Sequence, residues 1–346
     1  MARLQNKESM LAVTLVLATA MPSIAANAQD VSAFYAGKTV PLIVGFPTGG
    51  GSDLFGRAVV RHIGTYIPGS PRVILQNMPG AGSIIAANYM FNTAPKDGTV
   101  LGGISQGAPL GAKLGNAQSQ FDPAKFNWIG RLAPTPAVTM VRSDSKVDSI
   151  EQTLSREVTL SATGAGSTVS LFPAVMNKVL QTKFKIILGY KGSAEAMLAM
   201  DRGEVEGHST SWVLVNSIHP DWIQTGKVRI LVQHGLSRMP ELPNVPTSVE
   251  IAKGDDNRAI MHAIMASSEI GHSYFTTPDV PTERVAALRK AFDDMISEPQ
   301  FVSDVVRTGG EVRPLTGEAM QKLIGELDAM SPALLERIKE IYPVSE

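Results

Sequence analysis

Four short stretches carry the residue types from which an anion site is built: Pro47 to Asp53 (PTGGGSD), Pro79 to Ser83 (PGAGS), Thr163 to Thr168 (TGAGST) and Gly189 to Glu195 (GYKGSAE). Each places small residues and a Ser, Thr or Asp just before a run that reads as a helix. The first turn of a helix carries unpaired N–H groups, and the helix dipole adds partial positive charge there. Glycine lets a ligand approach that backbone closely, so such an end binds anions. Consecutive glycines cost chain entropy, so three in a row at 49–51 ask for a reason. The plainer account is that Ser52, Asp53, Ser83, Thr168 and Ser193 cap helices and the glycines make turns. That all four loops follow strands favours the ligand account.

The candidate ligand-binding residues are therefore Phe46, Thr48, Gly50, Gly51, Ser52 and Asp53 in the first loop and Gly80, Ala81, Gly82 and Ser83 in the second. Gly166, Ser167 and Thr168 come from the third, and Tyr190 and Lys191 from the fourth. Lys191 is the only base in the four loops, so affinity should rest on backbone and hydroxyl donors.

Other chemistries fit less well. The first loop lacks the Gly-Lys-Ser/Thr of a phosphate loop, and no acid ends the next strand to hold a ribose. GISQG, Gly103 to Gly107, matches the GxSxG of a hydrolase nucleophile. That motif needs a helix directly after it, and Pro109 with two further glycines argues against one. Ser105 is therefore expected to line a cleft as a donor. The six histidines show no metal-ligand spacing. His208 lies in EVEGHSTSW and should face the cleft, with Trp212 as a flat wall; core packing is the plainer role for Trp212.

The elements that must hold these loops alternate. TVPLIVGF reads as a strand, followed by a helix from about Ser52 to Ile67. RVILQNM, SIIAANYMFNTA and TVLGGIS continue as strand, helix and strand. AVTMVR and VTLSATG read as strands, then TVSLFPAVMNKVL as a helix that Pro173 should kink or start late. FKIILGY, SAEAMLAMDRGE and KVRILVQH repeat the strand–helix–strand order. PTERVAALRKAFDDMI and TGEAMQKLIGELDAMSPALLERIKEI close the chain as helices. This order implies α/β lobes with largely parallel sheets. The proline-rich segments Leu132 to Val138 and Met239 to Thr247 are the expected crossovers.

The chain has 346 residues, a formal net charge of -1 and no cysteine. The charge argues against a nucleic-acid partner, and thiolate chemistry and cysteine metal sites are excluded. Arg3 and Lys7, the apolar run Met10 to Met21 and the small-x-small Ala26 to Ala28 read as a secretory signal peptide cleaved after Ala28. A membrane anchor is the weaker alternative, because the apolar run is short.

VPLIVGFPTGGGSDLFGRAV, VILQNMPGAGSIIAANYMFNTAPKDGT, FNWIGRL, GYKGSAEAMLAMDRGEVEG and LPNVPTSVE, in this order, resemble the extracytoplasmic receptors of tripartite tricarboxylate transporters, the Bug family. The resemblance implies an α/β, two-lobed periplasmic binding protein fold of the type II class, with a ligand cleft between lobes. It implies residues 1–28 as signal peptide, 29–132 plus 246–346 as lobe one and 133–245 as lobe two. It further implies a monomer without cofactor or metal that captures a small carboxylate in the periplasm and delivers it to small and large membrane subunits. Such a receptor is not an enzyme. The competing readings are an exported serine hydrolase using Ser105 and a sensory module without transport. Glu206 stands where the family often has Asp, so the wall of lobe two differs. The residues leave open whether the carboxylate is aliphatic, an amino acid or aromatic.

Overall fold

The computed structural model describes residues 31–49, 51–163, 167–308 and 310–341. The expected signal peptide, Gly50 and Gly166 lie outside them. The chain opens with helix α1, described over 31–35, then alternates β1 (Thr39–Val44), α2 (Gly51–Tyr66), β2 (Arg72–Asn77), α3 (Ile84–Asn92), β3 (Leu101–Gly103), α4 (Ala108–Lys113) and β4 (Asn127–Arg131). There follow β5 (Ala137–Arg142), β6 (Val158–Ser161), α5 (Thr168–Val179), β7 (Phe184–Ile187), α6 (Ser193–Asp201), β8 (Gly207–Ser211), α7 (Trp212–Ile218) and β9 (Val228–His234). The chain then returns through α8 (Asp255–Ile270), β10 (Ser273–Thr276), α9 (Thr282–Ile296), α10 (Pro299–Arg307), β11 (Leu315–Thr316), α11 (Gly317–Asp328) and α12 (Pro332–Ile341).

Two sheets result, with orders β11-β4-β10-β3-β1-β2 and β7-β6-β8-β5-β9. They share one plan. β1 pairs in parallel with β2 and β3, as β6 does with β7 and β8. One antiparallel strand then joins each set: β10 against β3 and β4, and β5 against β8 and β9. In both sheets the chain runs from the first strand to one side and then to the other. That creates a switch point at the carboxyl ends of β1 and β3, and another at those of β6 and β8, which is where open α/β sheets bind ligands.

The patterning explains the packing. In α2, Phe55, Ala58, Val59 and Ile63 are buried at helical spacing against β1 and β2. One apolar cluster is continuous from Trp128 and Phe275 in the first sheet, through Ile264 of α8, to Phe172 and Leu160 beside the second. α12 packs on both α8 and α5.

Several expectations change. α5 starts at Thr168 and runs through Pro173, so it does not start late. The closing helical run breaks in two, with Pro332 opening α12. Leu132 to Pro136 does connect the sheets, and it is bonded to the returning chain: Leu132 N–H to His272 O at 2.8 Å, His272 N–H to Ala133 O at 2.9 Å and Thr135 N–H to Ser268 O at 3.0 Å. Met239 to Thr247 lies on the way from β9 to α8, at the start of the return to the first sheet. It folds along β9, where the Gln233 amide donates to the carbonyls of Leu242 and Val245, both at 2.7 Å.

Candidate functional site

The first loop is set by a buried carboxylate. Asp53, third residue of α2 and 1% exposed, accepts from the Gly49 N–H at 3.0 Å, from Arg57 Nε at 2.8 Å and from the Asn77 amide at 2.9 Å. The same Asn77 amide donates to Phe46 O at 3.0 Å. Burial alone would raise the Asp53 carboxyl, but the Arg57, Gly49 and Asn77 bonds outweigh it and hold it below its ordinary value. Asp53 is therefore an internal anchor and not the ligand contact expected. What it holds in place is an exposed rim of Thr48, Gly49 and Gly51, with Phe46 and Ser52 half-buried beneath.

The second loop is wound the wrong way for L-residues. Gly80, Ala81, Gly82 and Ser83 have φ of 138°, 45°, 62° and 78° in succession. Left-handed backbone costs a non-glycine residue about 1–2 kcal/mol, so Ala81 and Ser83 are strained. Ser83 offsets this by locking the two loops together. It is 1% exposed, and its Oγ donates to Gly45 O at 2.8 Å. A Cβ on Gly45 would lie 2.5 Å from Ser83 Cβ, so the two backbones are in direct contact. The Ser83 hydroxyl proton is thus committed inside the protein, which corrects its expected role as a ligand donor. α3 starts after Ser83 with no side-chain cap. The Ser83 and Ile84 N–H groups turn back to Gly80 O and Ala81 O within the loop.

The second sheet repeats the device. The Gly189 N–H donates to Thr163 O at 2.9 Å and the Tyr190 N–H to Ala162 O at 3.4 Å, which ties the third and fourth loops together. The Lys191 N–H donates to Glu195 Oε2 at 3.0 Å. An acid at the third helical position reaching back four residues is the arrangement of Asp53 and Gly49 again. α6 starts after Gly192 without a side-chain cap. Ser167 caps α5, accepting from the Ser170 N–H at 3.4 Å, so it is a cap as well as a loop residue. Thr168 and Lys191 are exposed and Tyr190 is half-buried.

Three candidates are relocated. Trp212 is 7% exposed and packs with Met197, Met200 and Trp222 in an apolar cluster. It walls no cleft. His208 is fully buried, and its Nδ1–H donates to Ser161 O at 2.9 Å. Burial pushes its ring down to about 4, so it is neutral. Ser105 is followed by a helix after all, α4, because Pro109 falls in the first turn where its missing N–H is not needed. The hydroxyl nevertheless accepts from the Gly107 N–H at 3.4 Å, and its φ is not positive as a strained elbow requires. Among the described residues no histidine bonds it.

Two residues join the site that spacing did not flag. His272 and Ser273 line a hollow of about 10 Å3 with Phe46, Ser52 and Gly103, at the carboxyl ends of β1 and β3. That is room for about one water. Ser273 is 2% exposed and its Oγ has no partner among the described residues. Burial pushes His272 down to about 4. The sequence signal was slight: SYFT is a four-residue strand with no alternation to reveal it.

Asp53→Ala should lower stability by roughly 2 kcal/mol, the loss of the charge-assisted hydrogen bonds from the Gly49 N–H and the half-buried Asn77 amide, with half-exposed Arg57 discounted. Urea unfolding at neutral pH measures it; an unchanged midpoint would show that the loop stands without its anchor.

The model of the tripartite tricarboxylate transporter family receptor matches residues 67–339. The UPF0065 protein in the gbd 5' region of Cupriavidus necator is 24% identical over 346 residues, covering 97% of this chain and 98% of its own. A solved solute-binding protein from Polaromonas is 23% identical with a TM-score of 0.67, covering 88% of this chain and 99% of that one. MatC from Rhodopseudomonas palustris, solved with bound malate, is 20% identical with a TM-score of 0.61, covering 88% and 99%. Another R. palustris protein, solved with adipate, is 22% identical with a TM-score of 0.60, covering 89% and 97%. The expected two-lobed binding-protein fold is thereby borne out.

Proposed function

The chain belongs to the tripartite tricarboxylate transporter receptor family, and from that membership we propose that it captures a small dicarboxylate between its lobes and hands it to membrane subunits from the periplasm. The observation that carries the reading is the doubled loop pair. Each sheet ends in two loops bonded to one another, each pair serving a helix that starts without a side-chain cap. Two such pairs offer two anion seats, one per lobe, and a dicarboxylate has two anionic ends. Malate and adipate, held by two similar structures, are both dicarboxylates.

The seats work without a buried base. First-turn N–H groups of α2 and α3 receive one carboxylate and those of α5 and α6 the other, with exposed Lys191 adding long-range attraction. Charge-assisted hydrogen bonds contribute roughly 1.5–3 kcal/mol each, so two at each end support micromolar binding after association costs. We place the lobes at 29–132 with 246–346 and at 133–245, with the bonded segments around Leu132 and His272 as their joint. The chain acts as a monomer, and export follows cleavage after Ala28.

A thermal-shift screen over carboxylates of two to eight carbons tests the reading. Dicarboxylates should raise the apparent stability by about 2.7 kcal/mol at a hundredfold excess over Kd, and the best of them should shrink the radius of gyration in small-angle scattering. Stabilisation by monocarboxylates alone, or by none, would sink the two-seat model.

A further inference from the structure

Away from the strand ends, a pocket of about 350 Å3 lies where the turn after α5 meets the chain entering α8. That size lies in the range of small-molecule sites. Its floor is the edge of the core itself. Ile150 and Val179 are core members, and Leu180 and Ile251 pack against them. Its rim carries one acid, Glu151, and one base, Lys253. Both are exposed. Among the described residues Lys253 has no ion-pair partner. Glu151 is held ionised by a hydrogen bond from Ser149, by its own backbone N–H and by the charge of Lys253.

This combination selects by exclusion. A simple carboxylate meets Glu151, a simple amine meets Lys253, and a small inorganic ion gains nothing from the apolar floor. A zwitterion with an apolar body meets all three conditions. We propose that this pocket is a second binding site, for an α-amino acid with an aliphatic side chain: carboxylate toward Lys253, ammonium toward Glu151, side chain on Ile150, Val179 and Ile251. The walls come from three separate stretches, 150–154, 179–182 and 251–257, so the occupant ties them together. The site is independent of the dicarboxylate seats.

The test is calorimetric titration of the full chain with L-leucine. Glu151→Gln and Lys253→Gln change exposed side chains outside the core, and circular dichroism verifies their folding. Each should weaken L-leucine at least about tenfold, or 1.4 kcal/mol, while Gly51→Val, altered at the cleft, should bind it as the native chain does. 4-Methylpentanoate and 3-methylbutylamine, each lacking one charge, should also bind at least about tenfold more weakly. The proposal is overturned by loss of L-leucine binding in Gly51→Val, by undiminished binding in both rim variants, by 4-methylpentanoate matching L-leucine, or by no saturable binding at millimolar concentration.

Discussion

Gly51→Val should bind the dicarboxylate at least about a hundredfold more weakly than the native chain while folding normally. A hundredfold is about 2.7 kcal/mol, the loss of one or two charge-assisted hydrogen bonds. Gly51 is the clean place to test the loop. A Cβ there meets nothing within 4 Å, and the backbone does not need glycine's left-handed freedom. The added isopropyl group therefore strains nothing and stands over the first turn of α2, where the ligand must come close. Its neighbours in the site lack this property. A side chain on Gly45 would strike Ser83, and one on Gly80 would approach Ile85 to 2.4 Å. Calorimetric titration with malate or adipate, beside circular dichroism, gives the answer. A folded Gly51→Val variant with native affinity would show that the first loop does not touch the ligand.

The largest expected effect on stability comes from acid. Burial pushes three rings down from an ordinary 6.5: His208 and His272 to about 4 and His234 to about 3. The unfolded chain therefore takes up three protons that the folded chain refuses. Stability is complete above pH 6.5 and falls as the pH drops toward the folded values, by roughly 1.4 kcal/mol per pH unit for each ring and roughly 4 for all three. Asp53, held below its ordinary 3.8, loses its contribution only at still lower pH. Urea midpoints at pH 7, 6 and 5 should trace this fall. His234→Gln, which keeps a polar group within reach of Thr139 Oγ1, should reduce the slope by about a third. An unaltered slope would mean the buried rings do not control acid stability.

Much of the frame was legible, for physical reasons that also explain the gaps. β1 and β6 are short apolar runs next to glycine loops, and α2 has helical apolar spacing, so the opening half of each sheet could be read. β8 could not. Its residues are Gly-His-Ser-Thr-Ser, buried through bonds such as Ser209 with Thr139 at 3.2 Å and not through apolar alternation. β10 has only four residues. In the site, residue type identified the loops but not which way each side chain turns. Asp53 illustrates this. Its partner Arg57 is one helical turn away and visible in the sequence, whereas Asn77, on the neighbouring strand, is not. Trp212 and His208 were misplaced because a polar edge is compatible with a core position as well as with a wall.

The interleaved strand order has a bearing on synthesis. In the first sheet β3 and β4 do not touch each other; β10 lies between them. β10 begins at Ser273, long after β4 ends at Arg131. An emerging chain thus carries the first three strands and β4 with a gap that only its last quarter can fill. The second sheet is contiguous, 137–234, and can close first. Contacts between such distant segments form slowly. For a chain that is to be exported, as we propose, this delay is useful. The segment up to Arg131 stays unfinished, and therefore threadable, until translation is nearly complete.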